Sequence, residues 1–221
     1  MKYLFLLAHP DDEVVASGGT IRRLADQGDE IVVILATKGE AGKGKTDRIK
    51  EFNRSCEILG IQKTEVLNFK DGEINNKLVW GKLELTFIEK IEKYKPDIVM
   101  TFDHSGWYFH LDHVGVSIAA TRAVQHAKHK IQALMFILFH PSGIQLKWPY
   151  VYQTKLPVTH IVNIRLVIKQ KVRAMEAHES QTMGFLPLMK KGKMSKEYFQ
   201  LVLATKKAKD LFSKSKIFKK V

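Results

Sequence analysis

Residues 3–13 read YLFLLAHPDDE. The apolar run Tyr3–Leu7 is too short for a helix and is cut off by Pro10, so it reads as a buried strand whose far end opens into a polar cluster. The same alternation repeats along the chain. Further strands are expected at Glu30–Ala36, Glu65–Leu67, Asp97–Thr101, Ala133–Phe139 and His160–Ile164. Helices are expected at Val14–Gln27, Asp47–Leu59, Lys77–Tyr94, Val114–Lys128 and Leu166–Ala177, with a last one from Ser195. Asp29, Gly60 and Pro96 mark changes of period. Strands alternating with helices predict a Rossmann-like three-layer α/β/α fold with a mostly parallel sheet.

The 221 residues, 45% of them hydrophobic, suffice for one domain spanning 1–221, and no repeat or low-complexity linker divides it. Cys56 is the one cysteine, which excludes an internal disulfide and favours a reducing compartment. The start, MKYLFLLAHPDDE, holds too short an apolar run for a signal peptide. No stretch reaches the ~20 apolar residues of a transmembrane segment. The expectation is a soluble, cytoplasmic protein whose oligomeric state the sequence leaves open. Charge is uneven: in the Lys-rich C-terminal segment 186–221, eleven lysines against Glu197 and Asp210 leave +9 of the total +13. Such a segment is either a solvated helix face, with Leu201, Val202, Ala208, Leu211 and Phe212 as its apolar side, or a contact for polyanions.

Two constellations compete to define a function. GEAGKGKT (39–46) fits the phosphate-loop pattern G-x-x-x-x-G-K-[ST], with strand-like IVVILAT before it and helical DRIKEFNRSCEILG after it. On that reading Asp103, following IVMTF, is the Mg²⁺-binding acid. The other constellation is a pair: AHPDDE (8–13) leaving the first strand and GWYFHLDH (106–113) following the fourth. In an open sheet of Rossmann type these strands are neighbours, and ligands bind beyond their carboxyl ends, so the two segments face one another.

That juxtaposition turns scattered His and Asp residues into a candidate centre. A catalytic zinc takes three ligands from His, Asp and Glu and keeps a position for water, whose pKa it lowers to about 7. His9, Asp12 and His113 form such a set. Asp11 is then free to act as general base, His110 to protonate a leaving group or stabilise an oxyanion, and Asp112 to orient an imidazole. Taken singly, the acids would serve equally as a helix N-terminus and the histidines as surface residues.

AHPDDE followed by H-x-D-H resembles the PIG-L/LmbE-type zinc-dependent N-deacetylases. TKGEAGK (37–43), Arg48 and Glu51 in RIKE, LNFKDG (67–72) and KVRAMEAHESQ (171–181) also resemble segments of that family, the last matching K-x-x-A-x-x-x-H-x-x-Q. The resemblance implies hydrolysis of the N-acetyl group of an N-acetylglucosamine-type substrate, a small N-acetylated amino sugar or a glycoside or glycolipid of one. It implies Zn²⁺, with other divalent transition metals as alternatives, on His9, Asp12 and His113. It further implies Asp11 as base, His110 as the charge-stabilising histidine, Arg48 as a substrate-contacting arginine and Tyr108 as a mobile tyrosine that polarises the amide carbonyl. Leu111 departs from the usual H-P-D-H. The resemblance accounts for Gly39, Glu40 and Gly42 without a nucleotide. The alternatives are a P-loop-like protein using Gly39–Thr46 and a non-enzymatic polyanion binder using the basic tail. WYF (107–109) and KWPYVY (147–152) are aromatic stretches suited either to sugar stacking or to packing.

Overall fold

The computed structural model describes residues 1–42, 47–139, 157–181, 186–191 and 194–221. Gly44, Lys45 and Thr46 of the phosphate-loop pattern, and the aromatic stretch 147–152, lie outside the described residues. Strands β1 (Lys2–Leu7), β2 (Glu30–Thr37), β3 (Lys63–Phe69), β4 (Ile98–Phe102) and β5 (Ala133–Leu138) run parallel in the order β3-β2-β1-β4-β5. The sheet continues through β7 (Lys196–Ala204), β6 (His160–Asn163) and β8 (Phe218–Lys220), each antiparallel to its neighbour. β1, β4 and β5 are buried along nearly their whole length, which is why they read as unbroken apolar runs rather than as alternation.

The helices are α1 (Asp12–Val15), α2 (Gly18–Asp26), α3 (Arg48–Leu59), α4 (Lys77–Tyr94), α5 (Gly106–Phe109), α6 (Leu111–His126), α7 (Ile168–Glu176), α8 (Leu186–Lys190) and α9 (Lys206–Ser213). α2, α3 and α7 pack on one another, as do α4 and α6. Right-handed crossovers run outward from β1 to β3 and then back to β4 and β5, which puts the two groups on opposite faces of the sheet. The chain therefore reverses direction between β1 and β4, the crevice where open sheets of this type bind ligands. Among the described residues no helix is long and apolar enough to cross a membrane.

Two expectations fail. The helix expected from Ser195 begins instead as β7, inserted between β5 and β6. The apolar spacing had merged a strand with a helix across Thr205, whose side chain accepts from the Ala208 N–H and starts α9. The Lys-rich segment is thus woven into the sheet, with Ala208, Phe212, Ile217 and Phe218 in the core, so it is not an appended tail. The helix expected at Val14–Gln27 is broken in two near Ser17, where a Cβ on Gly19 would meet Ile164 at 2.6 Å.

One ion pair links the two departures. Ser17 makes no side-chain cap for α2. The cap comes from β7: Glu197 accepts from the Gly19 N–H (2.9 Å), the Thr20 N–H (2.7 Å) and the Thr20 hydroxyl (2.5 Å). Lys171 of α7 donates to Glu197 (2.6 Å) and to the Val15 carbonyl (2.8 Å), with both side chains buried. Burial pulls the Lys171 pKa down against the Glu197 charge. Glu197→Ala would strand a buried ammonium and uncap α2, a loss of about 3–5 kcal/mol. Urea unfolding should show that loss, and Lys171→Met combined with Glu197→Gln should recover part of it, because the amide oxygen still caps α2.

Candidate active site

β1 and β4 are hydrogen-bonded in parallel register, Tyr3 opposite Ile98 and Phe5 opposite Met100, so the loops that follow them leave the sheet at one place. Asp12 shapes the first loop. Its Oδ2 accepts from the Ala8 N–H (3.1 Å) and the His9 N–H (2.7 Å), folding the carboxylate back over the strand end. His113, in the first turn of α6, stacks on Phe102 of β4 with ring centroids 4.0 Å apart and has Trp107 against its edge. Its Nε2 lies 3.2 Å from Asp12 Oδ1 and 3.3 Å from His9 Nδ1, while His9 Nδ1 is 3.7 Å from Asp12 Oδ2. Donors bonded at ~2.0–2.2 Å to a tetrahedral ion stand roughly 3.3–3.6 Å apart. The contacts among the three side chains, 3.2–3.7 Å with Asp12 meeting the two histidines through different oxygens, bracket that spacing, and all three are buried.

The far side of His9 is held by carboxylates. Its Nε2 is 3.0 Å from both Asp112 Oδ2 and Asp71 Oδ1, an arrangement that keeps the proton on Nε2 and turns the Nδ1 lone pair toward Asp12 and His113. Asp112 in turn accepts from the N–H groups of Gly72 (2.6 Å) and Ile74 (2.9 Å), tying in the loop after β3. The imidazole that Asp112 orients is therefore His9. Asp71 went unassigned in the sequence, although a D-G turn at the carboxyl end of a parallel strand is where such a sheet presents ligands.

His110 precedes α6 as its N-cap residue, and its half-buried ring lies 4.8 Å from that of His9 and 4.5 Å from that of His113. Ligand nitrogens of the three histidines come within 4.8 Å of one another, so His110 is an alternative third donor. Asp12 is the better one: it adds a negative charge and is already 3.2 Å from His113. The Tyr108 ring sits 5.8 Å from that of His113 and 6.1 Å from that of His110.

The electrostatics follow from this crowding. Burial opposes the charge on Asp12, but His113 and His9 outweigh it and hold the carboxyl far below its ordinary range. Burial likewise disfavours a charged His9, yet Asp112, Asp71 and Asp12 push it up to about 10. Asp11 is raised to about 7 by burial and by the charge of Asp12, against the pull of Arg48 and His178. His110 is lowered to about 4 by burial and by His113 and His9. Four carboxylates thus gather at one spot, and Arg48 is the one arginine or lysine among the described lining residues. Such a site favours a divalent cation.

Arg48 also accounts for Gly39 and Gly42. Its guanidinium donates to the carbonyls of Gly39 (2.6 Å) and Pro10 (2.6 Å) and lies 3.7 Å from Asp11 Oδ1. A Cβ on Gly39, which has φ 71°, would meet Arg48 at 2.3 Å, and one on Gly42 would meet it at 2.6 Å. These glycines make room for an arginine. The amides at the start of α3 that a phosphate would need are taken by the Asp47 side chain, which accepts from Ile49 and Lys50. Asp103, the proposed Mg²⁺ acid, accepts from the Ser105 N–H (2.7 Å) and hydroxyl instead. The nucleotide reading is therefore not supported. Between the loops lies a cavity of about 220 Å³, whose lining includes His9, Asp11, Asp12, Arg48, His113 and Gln181.

Comparison with known proteins matches residues 4–124 to the family described as PIG-L, GlcNAc-PI de-N-acetylase. The chain is 30% identical over 208 residues to the diacetylchitobiose deacetylase of Thermococcus kodakarensis, covering 81% of this chain and 70% of that one. It is 24% identical to a 1D-myo-inositol 2-acetamido-2-deoxy-alpha-D-glucopyranoside deacetylase of Mycobacterium sp., covering 81% and 74%. Its fold matches the structure of N,N'-diacetylchitobiose deacetylase from Pyrococcus horikoshii with a TM-score of 0.69 at 22% identity, covering 91% and 83%.

If the three-donor set binds a divalent ion, Asp12→Ala and His113→Ala should each lower Zn²⁺ affinity by far more than Asp112→Asn, for which roughly 10–100-fold is expected. Competition with a chromogenic chelator measures this. Unchanged affinity in Asp12→Ala would place the ion elsewhere.

Proposed function

The chain belongs to the PIG-L family of N-deacetylases, and from that membership we propose a metal-dependent hydrolysis of an acetamido sugar carried out by the residues between β1 and β4. His9, Asp12 and His113 would hold the metal. We assign zinc, which a tetrahedral set of two imidazoles and a carboxylate suits, although Fe²⁺, Co²⁺ or Ni²⁺ fit the same donors. When bound, the ion supplies Lewis-acid polarisation of the acetyl carbonyl and makes water a better nucleophile.

The side chains supply the rest. Asp11, balanced near neutrality at about 7, takes a proton from the attacking water as the new C–O bond forms. His110, lowered to about 4, is uncharged at pH 7 and donates an N–H to the developing oxyanion rather than acting as a strong acid. Tyr108, whose hydroxyl is raised by burial and by Asp12 and Asp11, stays protonated and donates alongside it. The C–N bond then breaks, Asp11 returns its proton to the leaving amine, and acetate departs. Arg48 fixes the Pro10 carbonyl ahead of the base and keeps further N–H groups for a sugar hydroxyl.

The substrate is an N-acetylglucosamine unit. The cavity of about 220 Å³, below the roughly 300–1,000 Å³ of drug-sized sites, suits one sugar ring. The buried thiol of Cys56 suits a cytoplasmic enzyme. The observation that carries this reading is geometric: the paired ends of β1 and β4 bring His9, Asp12 and His113 together in one cavity that Asp11 also lines.

Acetate release from diacetylchitobiose and from N-acetylglucosaminyl-inositol tests the substrate class. Asp11→Asn should keep full metal content while losing about 10²–10⁴-fold in kcat. Wild-type turnover in that variant would remove Asp11 as the base.

A further inference from the structure

Beneath Asp11 lies a polar group that the mechanism above does not use. Glu13, His178 and Ser55 are fully buried. Glu13 Oε1 accepts from the Ser55 hydroxyl (2.7 Å) and meets His178 Nε2 (2.7 Å). Its other oxygen, Oε2, accepts from the backbone N–H of Asp11 (3.1 Å). Asp11 needs that support. Its φ of 109° lies in a region that residues with a Cβ rarely adopt, and its side chain caps nothing in α1. Asp11 and Asp12 both line the cavity. His178 is held in place from below: it follows α7, and two residues further on Ser180 donates to Glu51 of α3 through its hydroxyl (2.7 Å) and its N–H (3.3 Å).

We propose that Glu13, gripped by His178 and Ser55, is a positioning residue that fixes the backbone of Asp11 so that its carboxylate faces the reacting water. This gives the A-x-x-x-H-x-x-Q segment (174–181) a role: it carries, just past α7, the imidazole that braces Glu13 within the same helix layer. A carboxylate is required because three partners must be accepted at once, two on one oxygen and one on the other. A glutamine of the same shape offers one acceptor oxygen, and its NH₂ group opposes either the Asp11 N–H or the His178 and Ser55 donors.

The inference rests on Asp11 being the base, and a double-mutant cycle separates the two claims. Glu13→Gln, Asp11→Asn and the double variant are assayed for kcat and KM on diacetylchitobiose and for bound zinc. Glu13→Gln should lower kcat at least tenfold with KM within twofold and zinc content unchanged, and should add less than twofold in the Asp11→Asn background. Ser55→Ala, which leaves the carboxylate two of its partners, should fall between wild type and Glu13→Gln. Wild-type kcat in Glu13→Gln, loss of zinc in that variant, or an equal loss in both backgrounds would overturn the positioning role while leaving Asp11 as base. Wild-type turnover in Asp11→Asn would overturn the base assignment and this role with it.

Discussion

The lateral pairing of β1 with β4 is the constraint on which the site depends. Because the strands are parallel and in register, the chain leaves the sheet twice at the same point, about a hundred residues apart in sequence, and His9 and Asp12 meet His113 there. The pairing is enforced from both sides: apolar residues of β1 and β4 are buried between two helix layers, so slipping the register would expose or misplace a whole strand. Topology thus comes before chemistry.

Around that point the protein collects more negative charge than its own cations balance. Asp12, Asp71 and Asp112 surround His9 and, against the effect of burial, push its imidazole up to about 10, while burial and the charge of Asp12 raise the Asp11 carboxyl to about 7. A resident divalent cation would relieve this, which makes the charge pattern part of the affinity rather than a defect. Backbone strain gathers at the same place: Asp11, Trp107 and Phe109 all have positive φ. Each is braced, Asp11 by Glu13, Trp107 by its indole N–H donating to the Ile137 carbonyl at 2.9 Å, and Phe109 by its backbone N–H donating to the Ser105 carbonyl at 2.9 Å. Strained residues of this kind persist where the surrounding packing over-determines them.

Much of this was legible in the sequence. The unbroken apolar runs announced the parallel strands, and the two polar clusters at strand ends announced the site, because both signals are local and the rule joining them is topological. What stayed hidden was set by distant contacts. β7 read as helix because its spacing runs on into α9, whereas its pairing with β5 and β6 and the reach of Glu197 to Lys171 and the start of α2 come from distant parts of the chain. Asp71, His178 and Glu13 gave weak signals, since a single acid or histidine carries no information about which carboxylate or amide it will meet. The phosphate-loop match was a false lead for a related reason: glycines that admit a nucleotide and glycines that admit an arginine look alike in one dimension.

The central claim, that His9, Asp12 and His113 form one metal centre, is tested most directly by anomalous diffraction at the zinc edge from crystals grown with Zn²⁺. The account predicts a peak bonded to His9 Nδ1, to Asp12 and to His113 Nε2 at about 2.0–2.2 Å, with Asp11 free of the ion. A peak on the other side of His9, held by Nε2 with Asp71 and Asp112, or no peak between β1 and β4, would contradict it.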